Sequence, residues 1–153
     1  MKSLVIFTTM YGNTEKVARA VAQALGAGVL SVQEATPEKL QGIELLVVSS
    51  PTQAFNMLPA MKAWLKSLPK GSLSGMRVAA FDTRMDVKKI NNAFLTFMEA
   101  IFGYAAEKIG KALVRLGGAQ VVKPEGFFVD GEKGPITTGE LEWAVEWAGK
   151  LNH

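Results

Sequence analysis

The chain has 153 residues, 48% hydrophobic and 20% charged, with a net charge of +3, a length and balance that match one globular domain, 1–153, able to bury a core without a disulfide or metal staple. Cysteine is absent and the one histidine is His153 at the C-terminus, which excludes thiol redox chemistry, Cys/His zinc sites and Ser-His or Cys-His nucleophilic pairs. Any redox chemistry must therefore come from a bound cofactor.

In chain order, Leu4-Val5-Ile6-Phe7 is a short, uninterrupted apolar run that fits a strand buried on both faces of a parallel sheet. A polar loop follows, from Thr8 to Thr14. Beyond it Val17, Ala20, Val21, Ala24 and Leu25 repeat with helical spacing, and Gly26 is placed to end that helix. Gly28 to Gln33 reads as a weaker strand. Leu45-Leu46-Val47-Val48 is a second strong buried strand that runs into Ser49-Ser50-Pro51-Thr52. The next helix covers 59–68, with Met61, Trp64, Leu65 and Leu68 on one face and Lys62 and Lys66 turned away. Arg77 to Phe81 is a third strand and ends at Asp82-Thr83.

The segment 86–103 is longer than a connection requires, and Phe94, Phe97, Met98, Ile101 and Phe102 share one helical stripe in it. Such a stripe covers its own core, closes as a lid over a site, or forms a surface for a second copy. Tyr104 to Leu116 is helical, with Ile109, Ala112, Leu113 and Leu116 as its stripe. Ala119 to Val122 and Phe127 to Val129 form a last strand region interrupted by Pro124 and Gly126. Thr137 and Glu140 stand at capping-box spacing before a final helix running to about Leu151, whose predicted buried stripe is Leu141, Ala144, Val145 and Ala148. Trp147 is expected at the edge of that stripe and Trp143 largely outside it.

Strands alternating with helices produce right-handed βαβ crossovers, hence an α/β, three-layer, doubly wound parallel sheet of five strands. In such sheets ligands bind beyond the carboxyl ends of the strands, where strand order reverses. That rule points to loops 8–14, 50–56 and 82–88. The first has two hydroxyls (Thr9, Thr14), an amide (Asn13) and a glycine (Gly12) before a helix start, with no acid until Glu15. It suits a phosphate, through backbone N–H groups and the helix dipole, and it is equally compatible with an ordinary capped βα turn. It matches neither the P-loop nor the dinucleotide fingerprint.

The run Thr9-Met10-Tyr11-Gly12-Asn13-Thr14-Glu15 after the first strand resembles the phosphate loop of the flavodoxin-like family, in the variant with Tyr before Gly. Ser50-Pro51-Thr52 is similar to that family's second flavin loop, and Asp82-Thr83-Arg84 stands where its third would be. The resemblance covers nearly the whole chain and implies strand order 2-1-3-4-5 and FMN at the strand ends. Thr9, Met10, Tyr11, Gly12, Asn13 and Thr14 would hold the phosphate. Pro51, Thr52, Gln53, Ala54 and Phe55 would line one side of the ring system, and Asp82, Thr83 and Arg84 the other. The implied function is FMN-based electron transfer, with an FMN-dependent NAD(P)H:quinone-type reductase or a flavin-free interaction domain as alternatives. The aromatic sandwich common in electron-carrying members is poor here, with Phe55 on one side and Arg84 and Met85 on the other.

Those carriers are acidic, whereas this chain is +3, so the expected redox partner protein is acidic and the second reduction step is expected at a raised potential. Residues 60–89 carry seven cations against two carboxylates, and 125–146 carry six carboxylates against one cation. The basic residues form no run interleaved with aromatics, which argues against nucleic acid. The apolar window 93–106 is too short to span a membrane and contains Glu99. With no signal-peptide pattern at the start, the expectation is a cytoplasmic protein without membrane association, able to pair through 91–103 as a homodimer.

Overall fold

The computed structural model describes residues 1–152, and His153 lies outside them. The apolar runs become strands β1 (Ser3–Phe7), β2 (Gly28–Ser31), β3 (Leu45–Pro51), β4 (Arg77–Met85), β5 (Ala119–Gln120) and β6 (Glu125–Val129). The helices are α1 (Asn13–Leu25), α2 (Pro59–Ser67), the single turn α3 (Val87–Ile90), α4 (Ala93–Phe102), α5 (Ala105–Arg115) and α6 (Glu140–Gly149). All strand pairings are parallel, in the order β2-β1-β3-β4-β5, with β6 on the same edge of β4 as β5.

The last strand is thus one edge position filled in two pieces. β5 pairs with Arg77 and Val78, whereas β6 pairs with Phe81 to Met85. Pro124, lacking a ladder N–H, stands between them. Gly126 is required by a close approach: a Cβ there would overlap the Arg84 guanidinium.

Side-chain alternation along the strands fills two cores. Leu4, Ile6, Leu46, Val48, Val78 and Ala80 face α2 and α5. Val5, Phe7, Leu45, Val47, Ala79 and Phe81 face α1 and α6. Covering both faces makes the middle of each central strand continuously apolar, as in residues 4–7, 45–48 and 78–81, which is why their sequence shows runs instead of alternation.

The helix faces differ in detail from the sequence expectation. On α1 the buried apolar residues are Val17, Ala18, Val21 and Ala22, while Ala20 is half-buried and Ala24 exposed. On α6 Ala144, Trp147 and Ala148 are buried while Leu141 and Val145 are exposed. Trp147 sits edge-on to Phe81 and Phe127, with centroids 5.7 and 5.9 Å away, and that aromatic cluster rotates the helix. The capping box is absent. Gly139 precedes α6 with φ 94°, Thr137 donates to Asp130 instead, and Glu140 accepts from the Phe128 amide.

The segment 86–103 does not cover a core. No residue of α4 is buried, and Phe94 and Phe97 are 65% and 60% exposed. Among the described residues no helix is long and apolar enough to cross a membrane, and no acidic or histidine cluster could hold a metal ion.

Candidate functional site

At the carboxyl end of β1 the ladder persists for one residue, Thr8 donating to the Ser49 carbonyl at 3.1 Å, before the chain turns. Thr9 Oγ1 then accepts from the Gly12 amide at 3.0 Å, which folds the loop back on itself. Gly12 immediately precedes α1 with φ 91°, a left-handed conformation that favours glycine. No side chain caps α1, and a Cβ on Gly12 would meet nothing within 4 Å. The helix therefore starts at an open backbone with its positive dipole end uncovered. Thr14 Oγ1 is 2.7 Å from Thr83 Oγ1, a buried hydroxyl pair that locks α1 to β4. Asn13 is also buried, beneath Gly134, where an added Cβ would lie 2.8 Å from the Asn13 amide atoms.

The second loop leaves β3 at Pro51. Gln53 and Asn56 exchange backbone hydrogen bonds of 2.8 and 2.9 Å around Ala54 and Phe55, which have φ of 48° and 60°. Neither is glycine, and left-handed geometry costs an L-residue about 1–2 kcal/mol. Contacts outside the turn hold it: Lys108 donates to the Phe55 carbonyl, and the Phe55 ring lies 6.3 Å from that of Tyr104. Gln53 reaches Met10 Sδ at 3.0 Å, bridging the first and second loops.

The third element is not a loop. β4 continues through Met85, so Asp82, Thr83 and Arg84 are strand residues whose side chains alternate. Asp82 is fully buried and accepts from Arg84 Nε and Nη2 at 2.7 and 2.8 Å and from the Ala106 amide at 2.9 Å. The Arg84 guanidinium lies over the Tyr104 ring, its Cζ 3.6 Å from the centroid. Thr52 Oγ1 accepts from the Ala105 amide at 3.0 Å, so the start of α5 is held by the second loop and by β4 together.

Burial pushes the Asp82 carboxyl up, against the opposing pull of Arg84, the Ala106 amide and Thr52. Burial also works against the Arg84 cation, but the Asp82 carboxylate more than offsets it and holds the guanidinium above its ordinary range. The two form an ion pair. The Tyr104 phenol is pushed up to about 12, first by burial and then by Glu99.

These three elements enclose an open cleft of about 450 Å³. The structure brings Thr9, Met10, Tyr11, Asn13, Thr14, Pro51, Thr52, Gln53, Thr83 and Arg84 to its walls. Four residues expected there do not line it. Gly12 shapes the loop backbone, Ala54 and Phe55 lie in the turn beyond it, and Asp82 is buried behind Arg84. The Phe55 ring packs toward Tyr104, leaving Tyr11, 44% exposed, as the one aromatic on the walls. Met85, set beside Arg84 in the sequence reading, lines it too, and two lining residues were missed in the sequence: Val129 and Glu132. The carboxyl-end rule applied to the last strand would have reached Val129 and the loop behind it. Chemically the cleft offers backbone amides and neutral hydroxyls at one end, with Pro51, Met85 and Val129 beside Arg84 and Glu132 on the remaining walls.

The family profile described as Flavodoxin matches residues 5–147. Among solved structures, oxidised flavodoxin 2 from Bacillus cereus superposes with a TM-score of 0.76 at 18% identity, covering 99% of this chain and 98% of that one. A flavodoxin from the domain Archaea gives 0.70 at 20% identity, with 100% of both chains covered. Rubredoxin oxygen:oxidoreductase from Desulfovibrio gigas gives 0.72 at 18% identity, covering 98% of this chain but 35% of that one. No curated protein matches the sequence.

Proposed function

This chain belongs to the flavodoxin family, a family of electron-transfer flavoproteins, and on that premise we propose that its cleft holds FMN, with the phosphate in the 9–14 loop. The observation that carries this reading is the uncapped start of α1 behind Gly12, flanked by the Thr9 and Thr14 hydroxyls. An anion there gains the helix dipole and several N–H donors without a basic side chain. Asn13 completes that end of the cleft. Pro51, Thr52 and Gln53 shape one side wall, and Thr83, Arg84 and Met85 the other. Met10 and Tyr11 stand half-exposed at the rim, where they would keep water from an edge of the ring system.

When bound, FMN supplies the one- and two-electron chemistry, and no side chain need act as nucleophile or base. The chain's own part is to bind and to fix charge. Arg84 is immobilised between Asp82 and Tyr104, so the wall beside it presents a rigid, compensated cation. We read the protein as a cytoplasmic carrier that exchanges electrons with an acidic partner protein, and not as a stand-alone reductase. The uncovered apolar face of α4 supports pairing with a second copy through 91–103, or a lid role.

Titration of the purified protein with FMN tests the cofactor. The expected result is one equivalent taken up with quenched flavin fluorescence, and negligible NAD(P)H oxidation by the loaded protein alone. Absence of uptake overturns the cofactor, and rapid NAD(P)H oxidation overturns the carrier. Size measurements on Phe94→Glu/Phe97→Glu test the paired state, which a wild-type monomer would exclude.

A further inference from the structure

Away from the cleft, α2 and α5 flank an open groove of about 1010 Å³ whose rims are basic. Lys62 and Lys66 stand one turn apart on α2, and Lys108, Lys111 and Arg115 follow one stripe of α5. None of these five cations forms an ion pair with a carboxylate among the described residues. α2 contains no acid, and Glu107, the one acid of α5, is turned back to the Tyr104 amide. The floor between the rims is apolar, made by Met57, Leu65, Ala112 and Leu116. Like charges held unpaired on both sides of an apolar floor repel one another and gain from an anionic occupant.

We propose that this groove seats an acidic, amphipathic helix of a redox partner protein. The α5 cations run from Lys108 to Arg115, about 10 Å of helix, so about two turns of a partner would meet them. An apolar ridge on such a helix would fill the floor while its acidic flanks met the two rims. The groove also adjoins the cleft: Asn56 and Met57 belong to its wall, and Lys108 donates to the Phe55 carbonyl in the second loop. A partner seated here would rest beside that loop. Calling the partner a redox protein rests on the electron-carrier reading; the chemistry of the seat does not.

Two other occupants fit less well. Nucleic acid would find no aromatic ring along the groove and an apolar floor with nothing for phosphate or base edges. A second copy could offer the exposed Leu141, Glu142, Val145 and Glu146 of α6. That helix lies on the opposite face of the sheet, so the contact would be head-to-tail, which builds rings or open chains and not a two-fold pair.

The test titrates the full-length protein with a synthetic helical peptide that has a leucine ridge and glutamate flanks. A scrambled peptide of the same composition and a duplex DNA oligonucleotide are the controls. Amide chemical shifts locate the binding. The patterned peptide is expected to bind about tenfold or more tightly than the scrambled one, to move the Leu65, Ala112 and Leu116 amides, and to weaken as salt rises. Lys62→Glu/Lys66→Glu/Lys111→Glu/Arg115→Glu should lose about tenfold or more in affinity while its circular dichroism and FMN uptake stay unchanged. Equal binding of the scrambled peptide or the DNA, or shifts confined to another face, overturns the proposal. So does self-association without peptide that the charge reversal abolishes, which would make the occupant a second copy. FMN uptake is read separately, so its failure would remove the cofactor and leave the groove to be judged on the peptide alone.

Discussion

Asp82 shows how a single side chain can be indispensable near a cleft that it does not touch. It is wholly buried, and its two oxygens accept from Arg84 and from the first turn of α5. Asp82→Asn would leave the Arg84 guanidinium, 15% exposed, without its counter-charge. Removing one member of a buried pair costs about 3–5 kcal/mol, and denaturant unfolding should show a loss of that order. The exposed Arg19–Glu15 pair is the contrast, with side chains 59% and 35% accessible. Glu15→Gln should change stability by no more than about 0.5 kcal/mol. Tyr104 carries a pH signature of the same network. Folded, its phenol holds its proton to about 12, whereas an unfolded tyrosine loses it near 10. Between those values the folded state binds more protons, so stability should fall as pH rises through the window. Phenolate absorbance of a Tyr11→Phe variant would follow Tyr104 alone, and a midpoint near 10 would contradict the burial argument.

Among the elements, α4 and α6 make opposite use of their apolar residues. Phe94 and Phe97 on α4 are mostly exposed, so replacing both with glutamate should leave the unfolding free energy within about 0.5 kcal/mol of wild type. Trp147 on α6 is 2% exposed and meets Phe81 and Phe127 edge-on. Trp147→Ala should cost about 3–5 kcal/mol in the same experiment. Sequence periodicity set the α4 stripe as a candidate core cover and put Trp147 only at the edge of the buried α6 stripe. On α6 two stripes overlap, one through Leu141 and Val145 and one through Trp147 and Leu151, and their hydrophobicity is similar. What separates them is the hole beside Phe81 and Phe127, which only a large ring fills. α4 carries a clear stripe as well, but its periodicity describes one face without saying that anything lies opposite. The same holds for the end of β4. Asp82 and Arg84 read as loop residues because charged side chains are rarely buried, and their mutual pairing is what admits them to a strand.

The whole molecule divides its charge as it divides its core. The groove between α2 and α5 on one face of the sheet is rimmed by cations, while α6 on the other carries Glu140, Glu142 and Glu146. A net charge of +3 therefore understates the field that a partner would meet on either side. Ligand binding also acts at this scale. FMN at one hundred times its dissociation constant should raise unfolding stability by about 2.7 kcal/mol, because it binds the folded state alone. A thermal or denaturant midpoint that ignores added FMN would count against the cofactor. The sequence by itself determined the strand-helix alternation, the parallel five-position sheet with its split last strand, and the polar loop between the first strand and the first helix. Each of these follows from local apolar runs, breakers and loop composition read along the chain. Only the tertiary structure decided which helix faces are buried, that Phe55 turns away from the cleft, and that Asp82 sits behind Arg84. It also joined Lys62 and Lys66 to Lys108, Lys111 and Arg115 across one groove. Those outcomes depend on contacts between different elements, such as Phe55 with Tyr104 and Asp82 with the start of α5, and no local pattern records which side chain will occupy the space opposite.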